Sequence, residues 1–123
     1  MLFRSSWTLL RRLSNPNAYS TVNNDYFGSE VAINGSYCAV AAQDEDTAAG
    51  QSSGNVYIFS LSDGSLIKTI DNPNAFGNVD NDRFGDVMSM SSTRLCVGAK
   101  LKTQTEQIIV VLHICIRYKY YNE

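Results

Sequence analysis

The sequence predicts an all-β fold built from antiparallel four-stranded units, and three observations predict it. The chain repeats itself: Asn15-Pro16-Asn17-Ala18-Tyr19 returns as Asn72-Pro73-Asn74-Ala75-Phe76, 57 positions on. Short runs of β-branched and aromatic residues alternate with Gly, Asn, Asp and Ser turn signals. No segment of the repeat reads as a helix.

The repeat is ungapped. The same offset carries Asn24-Asp25 onto Asn81-Asp82, Phe27-Gly28 onto Phe84-Gly85, and Val40 and Ala42 onto Val97 and Ala99. Leu9-Leu10-Arg11 falls on Leu66-Ile67-Lys68. A shared register over so many positions marks a duplication, and a duplication of this length marks stacked units.

One period resolves into four strands. Ser29 to Ile33 alternates, with Val31 and Ile33 on one face. Asn34-Gly35 then signals a tight type I′ hairpin. Tyr37 to Ala42 is apolar on both faces, the pattern of a strand covered on both sides. Gln43 to Gly54 is polar and rich in Asp, Ala, Gly and Ser, so it reads as a loop. Val56-Tyr57-Ile58-Phe59 is the third strand, Asp63-Gly64 a second turn, and Leu66 to Ile70 a more polar fourth strand. Greasy inner strands and a wetter outer one suit a propeller blade, whose inner strands are sandwiched between neighbours. The chain holds 123 residues, about two periods, whereas closed propellers have about four to eight blades. The expected architecture is therefore an incomplete propeller. Residues 1–26 form a partial blade and linker, 27–83 a complete blade, 84–100 the start of the next, and 101–123 a tail that leaves the pattern.

Composition narrows the function. Net charge is −2, so no basic surface calls for nucleic acid. Charged residues are 18% and hydrophobic ones 44%, which argues against disorder. The apolar run Ile108 to Ile116 is far below the roughly 18 residues needed to span a bilayer. Three cysteines, Cys38, Cys96 and Cys115, make no closed disulfide framework, and His113 is the single histidine. His-based catalysis and His-rich metal sites are thereby disfavoured. Met1 to Arg12 carries Arg4, Arg11 and Arg12 with no acid, the composition of a presequence. Leu9 to Leu13 nevertheless sits in register with the outer strand Leu66 to Ile70, which favours a blade entered part-way.

These residues resemble the FG-GAP family of β-propeller repeats. The family pattern of Phe-Gly, a Val-Gly-Ala-like segment and Gly-x-Val-Tyr-x-Phe is met by Phe27-Gly28, Val40-Ala41-Ala42 and Gly54-Asn55-Val56-Tyr57-Ile58-Phe59. The next copy supplies Phe84-Gly85 and Val97-Gly98-Ala99. The resemblance, through its Asn-Pro-Asn-Ala linker subtype, implies a non-enzymatic binding or scaffolding module of a surface or extracellular protein, with a protein or glycan partner. A truncated remnant of a larger propeller, or an accessory portion of an enzyme, are the alternatives. Integrin-like members carry an Asp-x-Asp-x-Asp-Gly calcium loop after Phe-Gly. Here that interval is only Asn34-Gly35-Ser36 or Ser91-Ser92-Thr93, too tight for several oxygen ligands.

No catalytic or cofactor-binding residue is expected, and calcium is the one ion the spacing admits. Asn78, Asp80, Asp82 and Asp86 have the 1, 3, 5, 9 spacing of a calcium loop, but Arg83 stands where the loop glycine belongs and no glutamate follows at position 12. The plainer reading is a solvated loop between blades. Asp44, Glu45 and Asp46 likewise read as a solvated acidic stretch. Phe27 and Phe84 are expected to pack between blades, with the following Gly admitting close backbone approach. Cys38 and Cys96 read as small apolar residues. The loops Gln43 to Ser53 and Asn72 to Asp82 are the expected contact faces. Incomplete blades leave edges and apolar faces open, so marginal stability or self-association is expected.

The tail carries its own signal. Reading the third base of each codon from Leu101 with the first two of the next, the degenerate code admits Glu-Asp, and further on Ser-Gly-Val-Ala-Tyr-Leu-Tyr. These fall opposite Glu45-Asp46 and Ser53 to Phe59 at the same 57-residue offset. We therefore expect a frameshift near Leu101, in the gene or in its recorded sequence; the alternative is a genuine apolar strand, Ile108 to Ile116. The coding DNA tests this: the alternate frame should continue the repeat, and a frame that does not ends the idea.

Overall fold

The computed structural model describes residues 7–16, 24–47, 50–73 and 81–100, together with the backbone of 109–115. Seven strands run in chain order: β1 (Phe27–Ile33), β2 (Tyr37–Ala42), β3 (Asn55–Ser60), β4 (Leu66–Asp71), β5 (Val87–Met90), β6 (Arg94–Lys100) and β7 (Ile109–Cys115). No helix occurs among the described residues, and none is long and apolar enough to cross a membrane. Strands β1-β2-β3-β4 make one antiparallel sheet and β5-β6-β7 a second. The fold is all-β, and its four-stranded sheet runs from Phe27 to Asp71.

The duplication is visible in the backbone. Asn24 and Asn81 both take φ near +64° (65° and 64°), Tyr26 and Arg83 both take 53°, and Gly28 and Gly85 take 90° and 102°. The amide of Ser29 donates to Tyr26 O at 2.9 Å, and that of Asp86 to Arg83 O at 3.0 Å. Left-handed residues are uncommon outside glycine, so their recurrence at matched positions shows one local fold used twice.

The first hairpin corrects an expectation. Its central residues are Gly35 and Ser36, between the closing pair Asn34 and Tyr37, whose amide and carbonyl meet at 3.0 Å. Neither Asn34, Gly35 nor Ser36 has positive φ, so the turn is not type I′. Asn34 acts instead as a side-chain cap, its Oδ1 accepting the amides of Ser36 at 2.9 Å and Tyr37 at 2.8 Å. In the second copy Ser91 Oγ does the same for Thr93 and Arg94. The β3–β4 connection does use a left-handed glycine, Gly64 at φ 76°.

Each face of the first sheet has its own core. Ala39, Ala41, Val56, Ile58 and Ile70 pack against Phe84, Met88, Leu95, Val97 and Ala99 of the second copy. On the opposite face lie Cys38, Val40, Ala42, Tyr57 and Phe59, joined by Leu13, Phe27 and Leu61. The period-two alternation of β2 and β3 thus feeds two separate interfaces, which explains why both strands are apolar throughout. Residues 7–16 form no strand. Arg11 donates to the carbonyls of Leu61 and Ser62, and Leu13 joins the core. An outer strand needs a third strand of its own blade to pair with, and none lies beside it among the described residues.

Strand β7 stands beside β6 as β3 stands beside β2, yet not in the repeat register. Val40 pairs with Tyr57, so Val97 would pair with position 114; it pairs with Leu112 instead. The strand is displaced by two residues, which preserves the alternation of faces while losing the repeat.

Two glycines set the spacing between the copies. A Cβ on Gly85 would lie 2.7 Å from Ala41 Cβ and 3.1 Å from Val56 Cγ2. A Cβ on Gly54 would lie 2.4 Å from the carbonyl oxygen of Phe84. Gly28, the counterpart of Gly85, has nothing within 4 Å of the same point. Gly28→Ala should therefore carry only backbone strain, on the order of 1 kcal/mol, whereas Gly85→Ala adds overpacking worth a further ~1–3 kcal/mol. Urea unfolding of the two variants checks this; equal losses would contradict the packing.

Candidate functional site

The long connections emerge at one end of the first sheet. The β2–β3 loop and the segment leading into β5 meet there, because β2 and β4 both finish, and β3 and β5 both begin, at that end. Main-chain bonds knit them together: Asn81 N to Gln51 O at 2.9 Å, Arg83 N to Ser52 O at 3.2 Å, and Phe84 N to Ser53 O at 2.9 Å. Asp44 N reaches Asp25 O at 3.2 Å, drawing in the residues ahead of β1. The described residues of the two loops lie against each other, with Asp46, Gln51 and Asn81 exposed.

Beneath that surface is a layer of polar side chains the sequence reading missed. Glu45 is fully buried, and Tyr57 Oη donates to its carboxylate, 2.6 Å from Oε1 and 2.7 Å from Oε2. The amide of Gly54 donates to Glu45 O at 3.1 Å. Asp44 is paired with Arg83, Oδ1 to Nε at 2.8 Å. Asp46 Oδ1 accepts the amide of Ser52 at 2.8 Å, and the hydroxyls of Thr47 and Ser53 meet at 2.6 Å. Within the acidic stretch Glu45 is buried and anchors the loop to β3, half-buried Asp44 ties it to the second copy, and exposed Asp46 closes it on itself. The usable signal was Tyr57, a buried phenol that needs a partner for its hydroxyl.

The duplication extends to side chains here. Asn15 Nδ2 donates to Asp25 Oδ2 at 2.8 Å, and Asn72 Nδ2 donates to Asp82 Oδ2 at 3.0 Å. Asn72 also reaches Ser53 O at 3.2 Å. The conspicuous Asn-Pro-Asn-Ala segments thus each open with an asparagine that holds a buried aspartate at the head of the next unit.

Of the four loop residues with calcium spacing, Asn78 and Asp80 lie outside the described residues. Asp82 is buried, with Oδ2 on Asn72 and Oδ1 without a hydrogen bond. Asp86 is half-buried at the start of β5. Among the described residues no group of three or more His, Cys, Asp or Glu side chains could hold a metal. Cys38 is a buried thiol whose pKa that burial pushes up, and Cys96 is half-buried. At the opposite end of the sheet, Gly35, Ser36, Tyr37, Ser60, Leu61 and Ser62 line an open cleft of about 420 Å³.

Burial pushes the Asp25 carboxyl above its ordinary value of 3.8; the Asn15 bond pulls it back, and the nearby Asp46 charge pushes it up again. A raised folded-state value means the folded chain holds this proton more tightly than the unfolded one. The associated stability is fully present below the unfolded value and is lost as pH rises through the folded one. Asp25→Asn, which can still accept from Asn15, should flatten that fall in urea midpoint across the acid range; an unchanged slope would contradict the assignment. Tyr57→Phe should cost about 1–3 kcal/mol by leaving the buried Glu45 carboxylate short of a donor, read from the same unfolding curves.

The FG-GAP repeat family matches this chain over residues 17–59. The stretch includes Phe27-Gly28, Val40 to Ala42 and Gly54 to Phe59, the residues that build β1, β2 and β3 and the loop between them. No curated protein and no solved structure matches the chain significantly.

Proposed function

We propose that this chain, an FG-GAP repeat protein over residues 17–59, is a non-enzymatic recognition module that engages a protein or glycan through the loop end of its propeller-type sheets. The observation that carries this reading is the union of the two loops, Gln43–Ser53 with the segment ending at Asn81 and Arg83, into a single braced surface. The polar side chains below it are engaged in bracing: Glu45 by Tyr57, Asp44 by Arg83, Asp82 by Asn72. A rigid underlayer with exposed polar tips is what recognition by loops requires, since a preorganised surface loses less entropy on binding. The surface or extracellular setting that the family resemblance implies fits a module of this kind.

The test is binding of the purified chain to a glycan array and to a panel of extracellular proteins. Gln51→Arg, on the exposed loop, should abolish any interaction found, with circular dichroism confirming that the sheet is retained. Binding that survives Gln51→Arg but is lost on Ser62→Arg, at the opposite cleft, would overturn the proposal.

Calcium at Asn78, Asp80, Asp82 and Asp86 is a second reading, favoured by the one oxygen of Asp82 that is buried without a hydrogen bond. Calcium should then raise the melting temperature of the wild-type chain, and Asp82→Asn should remove that increment. A melt indifferent to calcium excludes it.

A further inference from the structure

We infer that the open face of β1 is one half of a head-to-tail joint whose other half is the outer face of the second sheet on another copy of this chain.

The two copies of the repeat differ in one systematic way. Met88 is 9% exposed and Met90 is partly buried against the core between the sheets, but their counterparts Val31 and Ile33 are 52% and 63% exposed. Phe84 is fully buried between the sheets, whereas Phe27 is half-buried, resting on Tyr57 and Phe59 at ring-centroid distances of 6.1 and 6.2 Å. Gly85 is pressed against Ala41 and Val56, whereas the space at Gly28 is empty. At all four matched positions the second copy is covered by the first, and the first is the more open. The residue types are those of an interface: a Phe-Gly pair and two apolar side chains on one strand face.

The occupant is read from what buries the second copy. Phe84, Gly85 and Met88 sit on a surface made by small residues of β2, Ala39 and Ala41, with Val56 and Ile58 of β3 beside them. The chain carries a second surface of this kind. In β6, Leu95, Val97 and Ala99 face the first sheet, so alternation turns Cys96 and Gly98 the other way. These two occupy the repeat positions of Ala39 and Ala41, and both are small. Gly98 stands where Ala41 receives Gly85; it is buried among its own neighbours in the single chain, and, with no side chain of its own, it is the position where Gly28 of the next copy would be received. One chain thus carries both halves of such a joint, on opposite sides of its two sheets. A joint between unlike surfaces is heterologous, and such joints close into rings or run on as filaments. With two sheets per chain, a ring of roughly two to four copies reaches the four to eight blades of known propellers.

The experiment is sedimentation velocity of the full chain over a wide concentration range, with circular dichroism to confirm the sheet. Association should grow with concentration and be lost in Ile33→Glu, an exposed change the isolated fold tolerates. Ile67→Glu, equally apolar and 50% exposed on β4 away from the joint, should leave association intact. Gly28→Ala is a second probe, harmless in the single chain except for backbone strain and obstructive in the joint; it should weaken association at least tenfold. A chain that stays monomeric at every concentration, or association that Ile33→Glu and Ile67→Glu reduce equally, would overturn the inference.

Discussion

The structure depends on one close approach. The backbone at Phe84-Gly85 lies so near β2 and β3 that only hydrogen fits between Gly85 and Ala41. That approach lets Phe84 fill the space between the sheets and brings the Phe84 carbonyl against Gly54. Two separated motifs of the repeat, Gly54 at the head of β3 and the Phe-Gly of the following unit, are therefore two sides of one contact. Neither makes sense within a single repeat. The motif describes how a unit meets its neighbour rather than how it folds alone, which is the rule for stacked repeats.

From this contact the rest follows in order. With Phe84 and Gly85 held down, the amides of Asn81, Arg83 and Phe84 reach the carbonyls of Gln51, Ser52 and Ser53. That places Arg83 beside Asp44 and Asp82 under Asn72. The loop end is thus braced through the joint between the sheets. Polar groups there are buried, and a buried polar group is tolerable only when partnered; the pairing of Glu45 with Tyr57 meets that need where the loop turns back into β3. Function at this end would thus be coupled to the same packing that sets the fold.

The four strands of the complete unit were legible because their signals are local: alternation in β1, two-faced apolarity in β2 and β3, polarity in β4. So was the duplication, which needs no structure to be seen. The turn at Asn34 was misread because Asn-Gly promotes a type I′ geometry only when both residues occupy the central positions; here the pairing register puts Asn34 one step earlier, as a cap. Glu45 was misread because nothing adjacent to it in sequence announces burial; its partner Tyr57 is 12 residues away and across the sheet. The asparagines of the two linkers were recognised as a repeat, but their hold on Asp25 and Asp82 joins residues ten positions apart and leaves no local signal. The absence of a strand in residues 7–16 was missed for a related reason: apolar spacing suggests a strand, but a strand exists only beside another.

The central claim is that the second unit sits on the first through Gly85, and nuclear Overhauser spectroscopy of methyl-labelled chain reads that contact directly. Cross-peaks should connect the α-protons of Gly85 with the methyl groups of Ala41 and Val56, and the ring of Phe84 with the same sheet face. A spectrum in which β1 to β4 show their cross-strand contacts while these peaks are absent would contradict the account.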